Sequence, residues 1–101
     1  MALYTVPEIQ GVLKTVCTDR RIKRVILFGS YAKGSAHNQS DIDLYLDSGR
    51  QITGFDFFEL KAKLEDAFRT QIDLLPDRDI VPGSPVEREI MAHGVTVYDQ
   101  Q

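Results

Sequence analysis

The sequence predicts an α+β fold, a small mixed β-sheet with helices packed on one of its faces. Short strand-like apolar segments alternate with longer segments in which apolar residues recur at helical spacing. Glycine and proline punctuate the chain between these segments instead of collecting in one tract. A chain of 101 residues has room for one core, so residues 1–101 are assigned to a single domain.

The first two elements are expected to be a helix and a strand. Thr5 opens a Thr-Val-Pro-Glu capping box, and the apolar residues after it predict a helix that stops near Asp19. The continuous apolar run from Val25 to Phe28 predicts a buried strand. The basic segment between them, residues 20–24, is expected to be a solvated helix end that runs into the strand.

A turn and a second strand follow. Gly29-Ser30 is expected to turn the chain into a short helix that ends at Gly34. After a polar loop, apolar and polar residues alternate strictly from Asp41 to Asp47. This alternation predicts a half-buried strand with one packed face and one acidic face.

The next two elements are again a helix and a strand. A capping box at Asp56 and an apolar stripe predict a helix from Phe57 to Arg69 that covers the packed face. The segment Gln71 to Asp77 predicts a third strand. If its residues alternate like those of the second strand, Asp73 joins the acidic face.

The chain is expected to close with a helix and an edge strand. Ser84 opens a third capping box, and the helix is predicted from Pro85 to about Ala92, with Gly94 as a left-handed cap. Residues 95–98 predict a short edge strand.

Composition and charge exclude several classes of protein. The formal net charge is −3, so a basic surface for nucleic-acid phosphates is not expected. Cys17 is the only cysteine, which excludes a disulfide framework and fits a reducing compartment. No apolar run approaches the ~20 residues of a membrane span, and the N-terminus does not resemble a signal peptide, so a cytoplasmic protein is expected.

Three aspartates on the acidic face predict a metal site. Asp41 and Asp43 stand two apart on a strand, so they project to one side with Cα atoms roughly 6.6 Å apart. Carboxylates this close repel unless a divalent cation lies between them, and Mg²⁺ takes carboxylate and phosphate oxygens together. Asp73 would supply a third ligand and orient or deprotonate an attacking hydroxyl. Two such ions can stabilise the attacking and leaving oxygens of a displacement at phosphorus.

The turn before the acidic strand predicts a phosphate contact. Gly29 permits close approach of the backbone, and the amides at the start of the short helix favour an anion. The Ser30 hydroxyl adds a donor, and Lys33 is one turn further on, where its ammonium group can reach the same phosphates.

The stretch "LFGSYAKGSAHNQSDIDLYLD", together with the later "IDLL", resembles the signature of the polymerase-beta-like nucleotidyltransferases, in particular the minimal nucleotidyltransferases. The resemblance covers essentially the whole chain. It implies an enzyme that uses ATP and two Mg²⁺ ions to transfer AMP to an acceptor hydroxyl and release pyrophosphate. By position, Asp41 and Asp43 would be metal ligands and Asp73 the third carboxylate and base.

The same resemblance assigns the nucleotide contacts. Gly29 and Ser30 would contact the triphosphate, and Lys33 stands where many members have arginine. Ser40, directly before the aspartate pair, would position that turn.

The resemblance also suggests the acceptor. Relatives that modify small molecules, RNA or DNA carry additional domains, whereas minimal nucleotidyltransferases act as antitoxins on a cognate HEPN toxin ribonuclease. The leading hypothesis is therefore an antitoxin that transfers AMP to a tyrosine of such a toxin. One alternative is a module that neutralises its partner by binding alone. Another is an adenylyltransferase for a small-molecule or RNA acceptor held by an accessory subunit.

Overall fold

A computed structural model of the chain describes residues 3–37 and 40–100, which form four α-helices and four β-strands. The elements in chain order are α1 Val6–Val16, β1 Arg24–Phe28, α2 Gly29–Lys33, β2 Ile42–Asp47, α3 Gly54–Phe68, β3 Ile72–Pro76, α4 Pro85–His93 and β4 Val95–Asp99. A single 3-10 turn, Asp77–Asp79, follows β3.

The strands form one mixed sheet in the order β3-β2-β1-β4. Strand β1 pairs antiparallel with both β2 and β4, whereas β2 and β3 run parallel. A parallel pair needs a crossover connection, and α3 supplies it between β2 and β3. The predicted α+β fold is confirmed, and β4 is an edge strand as expected.

The hydrophobic core lies between one face of the sheet and helices α1 and α3. Strand β2 shows why, because its burial alternates strictly, with Ile42, Leu44 and Leu46 buried and the residues between them half-buried. The predicted stripe of α3 is confirmed in full. Its buried residues are Phe57, Leu60, Leu64 and Phe68. Cys17 is buried in the same core.

The opposite face of the sheet is partly covered by the shorter helix α4. The glycine after this helix, Gly94, lies against the Ile26 side chain of β1. A salt bridge of 2.6 Å between Lys33 and Glu89 joins α2 to α4. The face that carries the polar side chains of β2 is therefore bordered by α2 and α4.

Of the three predicted capping boxes, the one at Thr5 forms in full and the one at Ser84 forms in part. The Thr5 hydroxyl accepts from the Glu8 amide, and the Glu8 carboxylate accepts from the Thr5 amide. The Ser84 hydroxyl accepts from the Glu87 amide, but the Glu87 carboxylate accepts from Gly83, one residue further back. The hydroxyls of Thr5 and Ser84 thus satisfy amides that a helix start leaves without partners.

The capping box predicted at Asp56 is wrong, because α3 begins at Gly54 with Thr53 at its N-cap. The Asp56 carboxylate instead pairs with Arg21 at 3.0 Å. Arg21 also pairs with Asp19, and α1 ends at Val16, earlier than expected. The basic segment is thus part of an ion-paired turn and not a helix end.

The left-handed cap predicted at Gly94 is also wrong. Gly94 has φ −64° and ψ 144°, which is extended backbone. The chain enters β4 at the next residue, so an extended residue continues directly into the strand. In the part of the chain that the structure describes, no helix is long and apolar enough to cross a membrane.

Candidate active site

Three neighbouring strands deliver a row of side chains to the face opposite the core. In the register of the sheet, Asp43 of β2 is paired with Phe28 of β1 on one side and with Asp73 of β3 on the other. The residues that follow the two aspartates, Leu44 and Leu74, are buried in the core. Alternation therefore places Asp43 and Asp73 side by side on the polar face, as the sequence predicts.

Asp43, in the middle of this row, has a raised pKa. Burial raises the pKa of its carboxyl from 3.8 to about 6, and the negative charge of Asp73 adds to the rise. A hydrogen bond between the two side chains and weaker repulsion from Asp41 act in the same direction. Two carboxyls in such a position favour one shared proton or a bound cation.

Asp41 differs from Asp43 in its position and its exposure. It precedes β2 and its side chain is exposed, whereas Asp43 is half-buried. Among residues 3–37 and 40–100, no three His, Cys, Asp or Glu side chains converge closely enough to form a ready metal cluster. The structure thus brings Asp43 and Asp73 together, and Asp41 as a metal ligand stays a prediction.

Gly29 makes room for the Asp43 carboxylate. Its φ is +73°, in the left-handed region that favours glycine. A Cβ at this position would collide with the Asp43 carboxylate and lie 2.9 Å from its carboxyl carbon. Within the chain, the group packed against Gly29 is the Asp43 carboxylate, and close approach of a phosphate to Gly29 stays a prediction.

Ser30 lies in α2, and Ser40 lies in the segment that leads into β2. The carbonyl of Ser30 accepts from the Ser35 amide at 2.9 Å, which closes the turn after α2. Ser40 exchanges two hydrogen bonds of 2.9 Å with the His37 backbone, one through its hydroxyl and one through its amide. Ser40 therefore shapes the loop before Asp41, while a nucleotide contact from either serine stays a prediction.

Lys33 lies at the end of α2, where its ammonium group is paired with Glu89 of α4. Glu89 has no signal in the sequence, because a glutamate on a solvated helix face has no distinctive spacing. A phosphate contact from Lys33 stays a prediction. It requires the ammonium group either to contact the phosphate and the Glu89 carboxylate together or to leave Glu89 for the phosphate.

The donor set fits a hard divalent cation. Asp43 and Asp73 offer carboxylate oxygens side by side, and their repulsion helps to raise the pKa of Asp43. A cation between two such carboxylates would remove that repulsion, and oxygen is the ligand that Mg²⁺ prefers. The exposed Asp41 and Asp73 side chains leave the site open to a ligand.

The chain is similar to proteins of one enzyme family. The family model "Polymerase beta, Nucleotidyltransferase" matches residues 10–101. A putative protein adenylyltransferase of Methanocaldococcus jannaschii is 31% identical over 82 residues, which cover 77% of this chain and 95% of the relative. The protein adenylyltransferase MntA of Thermococcus cleftensis is 29% identical over 97 residues, 90% of this chain and 98% of MntA.

Solved structures agree with this relationship. A crystal structure of a toxin–antitoxin with AMP-PNP superposes with a TM-score of 0.72 at 25% identity, over 97% of this chain and 76% of that one. A protein described as a putative minimal nucleotidyltransferase superposes with a TM-score of 0.69 at 21% identity, over 94% of this chain and 98% of that one, which shows the shared fold.

The chain therefore belongs to the polymerase beta nucleotidyltransferase family. It is an enzyme of the nucleotidyltransferase class. Members of this family generally use ATP with divalent metal ions.

Proposed function

We propose that this protein is an antitoxin that transfers AMP from ATP to a tyrosine hydroxyl of a cognate HEPN toxin ribonuclease. The observation that carries the proposal is the pair of carboxyls, Asp43 and Asp73, in register on adjacent parallel strands beside the Gly29 turn. Relatives named protein adenylyltransferase and a neighbour described as a toxin–antitoxin with AMP-PNP support it. We expect both proteins to meet in the cytoplasm.

The transfer requires a base for the acceptor hydroxyl. The hydroxyl oxygen forms a bond to the α-phosphorus as the bond from that phosphorus to the oxygen bridging to the β-phosphate breaks, and pyrophosphate leaves. The proton of the hydroxyl passes to the Asp73 carboxylate. Asp73 suits this role because its side chain is exposed and an acceptor from a second protein can reach it.

The nucleotide is held by the Gly29-Ser30 turn and by the three aspartates, which are called the acidic row. Asp41, Asp43 and Asp73 would hold two Mg²⁺ ions, which when bound supply positive charge for the triphosphate and for both oxygens of the displacement. In the described part of the chain the Ser30 hydroxyl makes no hydrogen bond, so it is available to donate to a phosphate oxygen. The backbone of Gly29 and the ammonium group of Lys33 would add further contacts.

The experiment is to incubate the protein and its co-purifying or genetically adjacent partner with Mg²⁺ and ATP labelled at the α-phosphate. The control is the Asp41→Asn/Asp43→Asn double variant, which keeps the side-chain shapes and removes two charges. We expect label on a partner tyrosine only with intact aspartates. Absence of label on the partner, with metal and ATP present, would overturn the proposal.

The same experiment separates catalysis from binding. If the double variant still binds the partner and neutralises it without any transfer, occlusion is sufficient and the chain acts as a binding module. If label appears on a small molecule or an RNA end instead, the chemistry stands and the acceptor is a different one.

A further inference from the structure

An apolar cleft of about 280 Å³ lies beside Asp73 on the polar face of the sheet. Its floor comes from Phe28 of β1 and Leu75 of β3, and its rim from the segment before α4 and the first turn of that helix. Two valines of this rim are largely exposed, Val81 at 63% and Val86 at 44%. Exposed valines around a cleft leave apolar surface that a ligand can cover.

The charges around the cleft disfavour an anionic ligand. Asp73 and Asp79 line it, and none of the described residues that line it is a lysine, an arginine or a histidine. A phosphate group would therefore be repelled and would gain no compensating cation. A neutral group with an apolar body and a hydrogen-bond donor fits, because its donor can face a carboxylate.

The size of the cleft fits an aromatic ring. A cavity of about 150 Å³ lined by apolar side chains is enough to bind benzene, so 280 Å³ accommodates a phenol with space to spare. Phe28 offers an aromatic surface, and Ile80 adds to the apolar lining. A ring in this cleft lies next to Asp73, and the register of the sheet places Asp43 beside Asp73.

We propose that this cleft is the acceptor subsite, which takes the phenol side chain of the tyrosine to be modified and directs its hydroxyl to Asp73. The inference rests on the proposed function, because it assigns the place of the acceptor in that reaction. The adenine of ATP is the competing occupant. The phenol is favoured because Asp73, the proposed proton acceptor, itself forms part of the lining.

The first test measures transfer with varied partner and with varied ATP. The variant Val81→Ser/Val86→Ser makes the rim polar, and Met91→Ser is the control, an exposed apolar residue of α4 that does not line the cleft. We expect the rim variant to raise the KM for the partner about tenfold, because two side chains no longer offer apolar surface to the ring, and to leave the KM for ATP unchanged. Met91→Ser should change neither constant.

Three outcomes overturn the subsite. An unchanged KM for the partner in the rim variant, with normal transfer by the wild type, rejects it while the proposed function stands. A raised KM for ATP assigns the cleft to adenine. An equal effect of Met91→Ser shows that the change comes from a general loss of apolar surface.

The second test needs no transfer, so it stands even if the wild type labels no partner. Methyl NMR spectra of the wild type are titrated with N-acetyl-tyrosinamide and, separately, with adenosine. We expect the tyrosine derivative to shift the methyl signals of Val81, Val86 and Leu75 and adenosine to leave them in place. Shifts with adenosine alone, or with neither compound, contradict the proposal.

Discussion

Asp43 lies among charges of its own sign, on a strand whose neighbours at that level are Phe28 and Asp73. Its position is fixed by the backbone, because Leu44 and Leu46 of the same strand are fully buried in the core. Burying those leucines stabilises the strand in spite of the repulsion on its other face. The buried face of β2 therefore stabilises the strand, whereas its polar face carries the carboxylate of the proposed active site.

Gly29→Ala tests the space that Asp43 needs. The added Cβ would strain a left-handed residue and collide with the Asp43 carboxylate, so we expect transfer to fall by about 100-fold and the free energy of unfolding by about 1–2 kcal/mol or more. Gly34→Ala is the matched control, because Gly34 has φ +75° but no atom near the added Cβ. It should show the backbone cost alone and keep full activity, and equal loss of activity in both variants would contradict this role of Gly29.

Asp43→Asn tests the electrostatic cost of the row in metal-free protein. The pKa of Asp43 is about 6 in the folded chain and near 3.8 when unfolded, so ionisation destabilises the fold. The penalty is absent below pH 3.8 and complete above about pH 6. Asparagine cannot ionise, so we expect the variant to be more stable than the wild type by about 1 kcal/mol at pH 8, after allowance for screening, and equal to it near pH 4.

Thermal unfolding in the presence of a chelator, at pH 4 and pH 8, measures that difference. Added Mg²⁺ should then raise the melting temperature of the wild type and leave that of Asp43→Asn almost unchanged. A large loss of stability in the metal-free variant at pH 8 would show that the ionised carboxylate stabilises the fold, which is the opposite of the expected repulsion.

The residues of the acidic row could be predicted because strand alternation is a local rule. Leu44 and Asp43 must face opposite sides, and the same holds for Leu74 and Asp73. The parallel register that places the two aspartates side by side depends on long-range pairing, so alternation alone could not predict it. Glu89 could not be predicted at all, because its partner is 56 residues away.

At the scale of elements, the site depends on how α2 and α4 border the sheet. Helix α2 begins at Gly29, directly after β1, so the Gly29-Ser30 turn is tied to the strand that carries Phe28. Helix α4 brings Glu89 to Lys33 and contributes Val86 to the apolar cleft. Movement of α4 would therefore alter both the cation at α2 and the cleft.

Lys33→Met and Glu89→Gln together separate a phosphate contact from a structural ion pair. The pair is partly exposed, with side chains 44% and 31% accessible, so its loss should change stability by less than about 1 kcal/mol in either variant. If Lys33 binds phosphate, Lys33→Met should weaken ATP binding about tenfold, while Glu89→Gln leaves it unchanged or strengthens it. Calorimetric titration with a non-hydrolysable ATP analogue measures this, and identical affinities in the two variants would limit Lys33 to the ion pair.

Helix ends were harder to predict than the strands. The Asp56 box failed because a capping motif competes with ion pairs, and Arg21 is 35 residues away in the chain. The left-handed cap at Gly94 failed because the next residue already belongs to β4, whose pairing sets the backbone. The Thr5 and Ser84 hydroxyls, by contrast, accept from the amides three residues further on, as the sequence predicts.

On the scale of the whole molecule, one face of the sheet stabilises the fold and the other carries the proposed active site. The face covered by α1 and α3 holds the core, and the other face holds the acidic row, the Gly29 turn and the cleft. Substitutions on the polar face should therefore affect catalysis more than folding. An acceptor from a second protein can approach that face because Asp41, Asp73 and the rim valines are exposed.

The measurement that tests the central claim most directly is the rate of AMP transfer to the partner by Asp73→Asn, with both substrates saturating. Because Asp73 is the proposed acceptor of the hydroxyl proton, we predict a fall of about 10²–10⁴-fold in that rate with the complex still formed. Transfer by Asp73→Asn at the rate of the wild type would contradict this role.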